Sequence, residues 1–282
     1  MVSIFDTHAH YDSRQYDGDM DEVLNRIHGI GNEENTEGII KVGRIINTGA
    51  DTESSVKSVK IAEKYDFILA AVGVHPDSAG ELIYSEDRKE EKEVCLNNRE
   101  AIKKMCENPN VVAIGEIGLD YHWNVWPKDI QKEAFKLQWE LALEKNLPVV
   151  IHSREAAEDT LNMIRSFYEK NDHKPLRADM HCYSYSLEHA QEYLKMGLMF
   201  GIGGVVTFKN ARKLVEVVDM LPLDRILLET DAPYMAPDPF RGKRNDSGKL
   251  SLVAEKIAAI KGVSAERVYE QTWENAVRFF AL

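Results

Sequence analysis

The sequence predicts an α/β protein of the (β/α)8 TIM-barrel class, a single domain over residues 1–282 with helices at its C-terminal end. Two patterns predict it: eight short apolar runs alternate with amphipathic segments, and the runs are apolar on both faces. Such runs fit parallel strands buried between a helix layer and a barrel interior. The strands are expected at residues 2–7, 39–48, 67–74, 111–117, 147–151, 177–181, 198–202 and 225–229. Helices are expected at 51–64, 129–145, 155–170, 186–196, 209–220, 250–261 and 265–280. The first of these opens on Asp51-Thr52-Glu53-Ser54, and the fourth stops at Gly197. In the segment 129–145 the apolar face should comprise Ile130, Ala134, Leu137, Leu141 and Ala142. An open doubly wound sheet is the alternative arrangement. The charge run 85–93 reads as a solvated turn or loop before a helix, and residues 236–249 as a Pro-, Gly- and Arg-rich loop after the eighth strand.

Composition narrows the function. With 35 basic and 47 acidic residues the net charge is −12, which excludes a protein that coats polyanions non-specifically. It leaves room for an enzyme that meets a phosphate at one local positive site. The three cysteines, Cys95, Cys106 and Cys182, are widely spaced, so no disulfide framework is expected and a reducing, cytoplasmic setting is. The opening Met-Val-Ser-Ile-Phe-Asp lacks the features of a signal peptide, and no apolar stretch is long enough to span a membrane. Neither a membrane nor an obligate protein partner is indicated.

Barrel enzymes carry their chemistry where strands end and βα loops begin. Here the predicted strand ends carry His8 and His10, His75, Glu116, His152, His181 and Asp231. The intervals from His10 onward are 65, 41, 36, 29 and 50 positions. The first and last span two units, so the spacing suits a repeat of about 30 residues. Taken singly each residue has a bland reading: His181 as a core histidine, Glu116 as a capping group, Asp231 as a turn former. Their ordered recurrence favours metal binding. Imidazoles with carboxylates suit Zn²⁺, Mn²⁺, Co²⁺ or Fe²⁺, and hold Mg²⁺ less naturally. Even six of these seven groups exceed the needs of one ion, so a two-metal centre with a bridging carboxylate is the economical reading. His28, His173 and His189 fall in helical or loop stretches and read as structural, while His122 is open between a structural and a substrate-contacting role.

The motifs that surround these residues resemble the TatD family of metal-dependent deoxyribonucleases, within the amidohydrolase superfamily. They are Phe5-Asp6-Thr7-His8-Ala9-His10, Gly73-Val74-His75-Pro76, Ala113-Ile114-Gly115-Glu116-Ile117-Gly118-Leu119-Asp120-Tyr121, Val150-Ile151-His152-Ser153-Arg154, Met180-His181-Cys182-Tyr183-Ser184 and Leu228-Glu229-Thr230-Asp231-Ala232-Pro233-Tyr234. The loop Arg241-Gly242-Lys243-Arg244-Asn245 also fits. The resemblance implies two divalent metal ions (Mg²⁺, Mn²⁺ or Zn²⁺). One is held by His8, His10, Glu116 and Asp231, the other by Glu116, His152 and His181. Two departures stand out: the run 85–93 reads as an insertion, and Asp246-Ser247 replaces the family's frequent Glu-Pro, a change expected to matter little.

The activity implied is hydrolysis of phosphodiester bonds in DNA, 3′ to 5′ on single-stranded ends, with Asp231 and Glu116 as catalytic groups and Asp231 as the base. His75, Arg154, Arg241 and Arg244 are the candidate phosphate contacts. A chain of net charge −12 should read only a few terminal nucleotides. The rival is a hydrolase of C–N or ester bonds on the same frame, such as a D-aminoacyl-tRNA deacylase. Cyclic amidohydrolases often bridge their metals with a modified lysine at the fourth strand, where this chain has Glu116. A metal-dependent binding protein without catalysis would not need the full ligand set plus Asp231.

Overall fold

Eight parallel strands follow one another around the sheet in chain order, β1 to β8, the order of a (β/α)8 barrel. The computed structural model describes residues 3–29, 41–84 and 86–282. Predicted strand positions 2 and 39–40, and Ser85 at the head of the charge run, lie outside the described residues. The strands are β1 (Ser3–Ala9), β2 (Lys41–Thr48), β3 (Ile68–Val72), β4 (Val111–Asp120), β5 (Val149–Arg154), β6 (Ala178–Met180), β7 (Met199–Ile202) and β8 (Ile226–Leu228). The helices are α1 (Met20–His28), α2 (Thr52–Lys64), α3 (Lys92–Met105), α4 (Lys128–Lys145), α5 (Ala157–Lys170), α6 (Leu187–Lys195), α7 (Arg212–Met220), α8 (Leu250–Lys261) and α9 (Ala265–Phe280). Among the described residues no helix is long and apolar enough to cross a membrane. Cys95, Cys106 and Cys182 form no disulfide.

The chain divides into two compact units. The first comprises Met1–Asn47, Cys182–Ala190 and Phe200–Leu282. In it β8 returns to β1: the Thr7 hydroxyl donates to the Leu228 carbonyl, and Asp231 N–H donates to the His8 carbonyl. Ala9 and Ala232 form a parallel bridge just beyond. The C-terminal helix α9 covers the outer side of β1, with Phe5 packed on Trp273 and Phe280 at ring separations of 5.4 and 6.0 Å. The buried rings of Phe5 and Phe280 explain why a tail read only as amphipathic helix belongs to the core.

The second unit comprises Thr48–His181 and Gln191–Met199. Helix α2 starts where Asp51 accepts from Ser54 N–H at 2.6 Å while Ser54 Oγ accepts from Asp51 N–H at 2.8 Å, a reciprocal capping box. Strand β4 runs three residues past its predicted end because Leu119 and Asp120 stay in register with Ser153 and Arg154 of β5. Gly118 permits that pairing, since a Cβ on it would meet the His152 carbonyl oxygen.

Helix α4 corrects the predicted apolar face. Its buried residues are Gln131, Ala134, Phe135, Gln138, Trp139 and Ala142, whereas Ile130, Leu137 and Leu141 are only partly buried. The face is rotated because two glutamines turn inward to satisfy strand ends. Gln131 bonds Asp120 N–H and C=O at 2.8 and 2.9 Å, and Gln138 bonds those of Val74 at 2.7 and 3.0 Å. Each amide thus continues a ladder that the next strand has left. From Glu86 onward the charge run is, as expected, a turn before a helix: Glu86–Glu91 leads into α3, with Lys89, Glu90 and Glu93 exposed. Arg88 stacks over Trp126 at 4.4 Å, donates to the carbonyls of Gly80 and Ile83, and pairs with Glu91.

Candidate active site

In the first unit, β1 ends by aiming two imidazoles at one point. His8 Nε2 and His10 Nε2 stand 3.1 Å apart, and His10 Nε2 lies 3.4 Å from Asp231 Oδ1. Two nitrogens that each sit roughly 2.0–2.1 Å from one cation are separated by about this distance. The donor set therefore fits a divalent ion. Asp231 reaches the group from a left-handed turn (φ 57°) whose amide is fixed on His8. Asn245 locks the same turn, donating to the carbonyls of Thr230 and Tyr234 at 3.0 and 2.8 Å.

Beneath this group lies Asp6, fully buried. It accepts from His8 N–H and Thr230 N–H on one oxygen, and from the hydroxyls of Thr230 and Ser247 on the other. Burial pushes its carboxyl up to about 7, against the downward pull of those four donors. Ser247 therefore corrects an expectation. The Asp246-Ser247 pair, expected to matter little, supplies a fully buried hydroxyl 2.6 Å from Asp6 and 2.8 Å from Tyr11. Glu229, also fully buried, accepts from Cys182 N–H at 2.6 Å, and Gly201 leaves the room its carboxylate fills.

In the second unit, Glu116 Oε1 is the focus. His152 Nδ1 lies 2.7 Å from it, His181 Nε2 3.8 Å and His75 Nε2 3.9 Å. The Glu116 oxygen with the ring nitrogens of His152 and His181 is a donor set suited to a cation. His152 turns its other nitrogen, Nε2, to Asp120 Oδ2 at 2.9 Å. Burial disfavours a charged His152 ring, but the Glu116 charge and the hydrogen bonds to Asp120 and Glu116 raise its pKa to about 9. Burial likewise opposes the Asp120 charge. The His152 bond and the backbone N–H groups of Trp123 and His122 outweigh it and hold Asp120 at about 2. A carboxylate behind a histidine fixes which ring nitrogen stays available to a metal, here Nδ1.

His75 has a different character. Its Nδ1 accepts from Asp77 N–H at 3.1 Å, so that nitrogen carries no proton. In a neutral ring the proton then sits on Nε2, which makes this face of His75 a donor to an anionic oxygen. Arg154 ends β5 with its guanidinium 5.5 Å from the Trp123 ring. Arg241 stacks over Phe208 at 4.4 Å. Arg244 is held by Asp19 through two hydrogen bonds, donates to the Gln15 carbonyl and packs on Tyr16. Thus His8, His10 and Asp231 come together in the first unit, and Glu116, His152, His181 and His75 in the second. His122 bonds Glu155 at 2.7 Å, His28 the Val42 carbonyl, and His189 the Ser186 hydroxyl; His173 packs on the Tyr168 ring.

Sequence reasoning missed Asp6, Asp120 and Glu229 as parts of the site. A signal was present for Asp6 and Glu229, acids inside predicted strands where burial demands a partner, whereas Asp120 lies three residues beyond the predicted end of its strand.

Comparison with known proteins follows from this geometry. A family model described as TatD related DNase matches residues 5–281. The chain is 42% identical over 279 residues to the uncharacterized metal-dependent hydrolase YabD of Bacillus subtilis, covering 99% of each chain. It is 32% identical over 292 aligned positions to the 3′-5′ ssDNA/RNA exonuclease TatD of a Rahnella species, covering 99% of this chain and 98% of the relative. The crystal structure of YJJV, a TatD homologue from Escherichia coli, superposes over 100% of both chains with a TM-score of 0.83 at 27% identity.

Proposed function

The chain belongs to the TatD family of metal-dependent hydrolases, and from that premise we propose that it is a 3′-5′ exodeoxyribonuclease acting on single-stranded ends. The observation that carries the reading is the Glu116 carboxylate oxygen, faced by ring nitrogens of His75, His152 and His181 within 3.9 Å. The proposed metal ligands are His8, His10 and Asp231 of the first unit, and Glu116, His152 and His181 of the second. Two divalent ions (Mg²⁺, Mn²⁺ or Zn²⁺) held by such residues would polarise a phosphodiester and lower the pKa of a water. The nucleic-acid substrate is supported by the Rahnella relative, which is named a 3′-5′ ssDNA/RNA exonuclease.

The chain's own residues supply the rest. Asp231, on a turn clamped by Asn245, takes the proton from the attacking water. His75 donates from Nε2 to a phosphoryl oxygen, and Asp120 holds the His152 ring in one orientation. Arg154 and Arg241 meet the flanking phosphates. Arg244, shared with Asp19, orders the loop that carries Arg241. Strand β4 has Glu116 and no lysine, which counts against the C–N hydrolase reading.

The test is a metal-titrated digest of 5′-labelled single-stranded DNA. Products should shorten stepwise from the 3′ end with Mg²⁺ or Mn²⁺ and not with a chelator. Intact DNA alongside hydrolysis of a dihydropyrimidine or a D-aminoacyl-tRNA would replace this reading with its rival.

A further inference from the structure

A cleft of about 520 Å³ opens in the first unit, lined among others by Phe208, Tyr234, Met235, Arg241, Lys243 and Arg244. Its volume is that of a small-ligand site. Three cations and no carboxylate line it, in a chain of net charge −12. Arg244 is neutralised by Asp19, and Arg241 and Lys243 face solvent.

Tyr234 is the unusual member. Its backbone is fixed at both ends: N–H donates to the Asp231 carbonyl at 2.7 Å, and its carbonyl accepts from Asn245 at 2.8 Å. Its ring is nevertheless 50% exposed, and neighbouring Met235 is 45% exposed. A large aromatic on a rigid backbone, left in water, is preorganised to stack on a flat ligand. The ring centroid lies 6.3 Å from that of His10, so a base on Tyr234 sits beside the proposed metal ligands. Arg241, whose guanidinium lies over the Phe208 ring at 4.4 Å, offers a second planar group and a positive charge.

We infer that this cleft is a nucleotide subsite, in which the base next to the scissile phosphodiester stacks on Tyr234 and its phosphate meets Arg241 and Lys243. The inference rests on the phosphodiesterase reading above and assigns the residue that grips the substrate beside the cut. A ring and two cations recognise any base, so the subsite selects for a free, unstacked strand rather than for sequence.

A fluorescent hexathymidylate with hydrolysis-resistant phosphorothioate links tests this by anisotropy, with single abasic positions scanned along it. On wild type one abasic position should weaken binding about 5- to 150-fold, the range of base–aromatic stacking. Tyr234→Ala should weaken binding of the intact oligonucleotide by the same factor and show no further loss at that position. Tyr234→Phe should bind as wild type does, because the ring and not the hydroxyl is used. Arg241→Ala should lower the slope of log affinity against log salt by about 0.7. On cleavable DNA, Tyr234→Ala should raise KM far more than it lowers kcat. Additive losses in the Tyr234→Ala scan, or unchanged affinity of that variant, overturn the subsite. DNA bound with this coupling but not cut removes the nuclease reading and leaves the subsite. DNA neither bound nor cut removes both.

Discussion

The two groups of candidate ligands are held by different means. In the first unit the backbone holds them: His8 and Asp231 share a main-chain bond, His10 N–H bonds Ala232, and Asn245 clamps the turn. In the second unit side-chain charge holds them: His152 stands between the carboxylates of Glu116 and Asp120. A backbone-set group keeps its shape when one side chain changes its charge. A charge-set group depends on the protonation of each member, because the proton on Nδ1 of His152 occupies the position a metal would take.

The largest expected effect comes from the backbone-set group. Asp231→Asn should retain the turn and lower the rate about 10²–10⁴-fold, the usual loss of a positioned base, with no recovery at high metal. His152→Ala, in the charge-set group, should regain part of its activity as metal is raised. The check is kcat for both variants across a metal titration. Near-full recovery of Asp231→Asn would make it only a ligand and direct the search for the base to His75.

Next in size is Asp120→Asn. Loss of this partner should weaken metal affinity by about 10–100-fold, measured by competition with a chelating dye, while the fold persists. Unchanged affinity would remove Asp120 from the site.

Ser247→Ala should act on stability. It strips one donor from a buried carboxylate, at a cost of about 1–3 kcal/mol in chemical denaturation. A neutral result would restore the expectation that this position matters little.

The smallest effect is a pH dependence that originates in the charge-set group. The pKa of His152 is raised from 6.5 to about 9. Its ion pairs therefore stabilise the metal-free fold fully below pH 6.5, and that contribution is lost as pH rises through 9. The thermal midpoint of chelated protein should fall by a few degrees across that window, and the slope should shrink in Asp120→Asn. A flat profile would mean that Glu116 and Asp120 do not hold His152 charged.

Strand positions and the histidines at their ends were legible because both follow from local pattern. An apolar run buried on both faces marks a parallel strand, and a histidine where the run stops stands out against it. Hence His8, His10, His75, Glu116, His152, His181 and Asp231 could be placed at strand ends from order and spacing, while the division into ligands and substrate contacts came from the family resemblance. The rotated face of α4 was not legible. Gln131 and Gln138 look like solvent-facing residues until the strand ends they complete are in place. The roles of Asp6, Asp120 and Ser247 were hidden for the same reason. Asp6 and Ser247 are 241 positions apart and bond at 2.6 Å. Periodicity along the chain marks where strands and helices lie. The worth of a buried polar group depends on the partner that meets it, and only the tertiary fold brings that partner from a distant part of the chain.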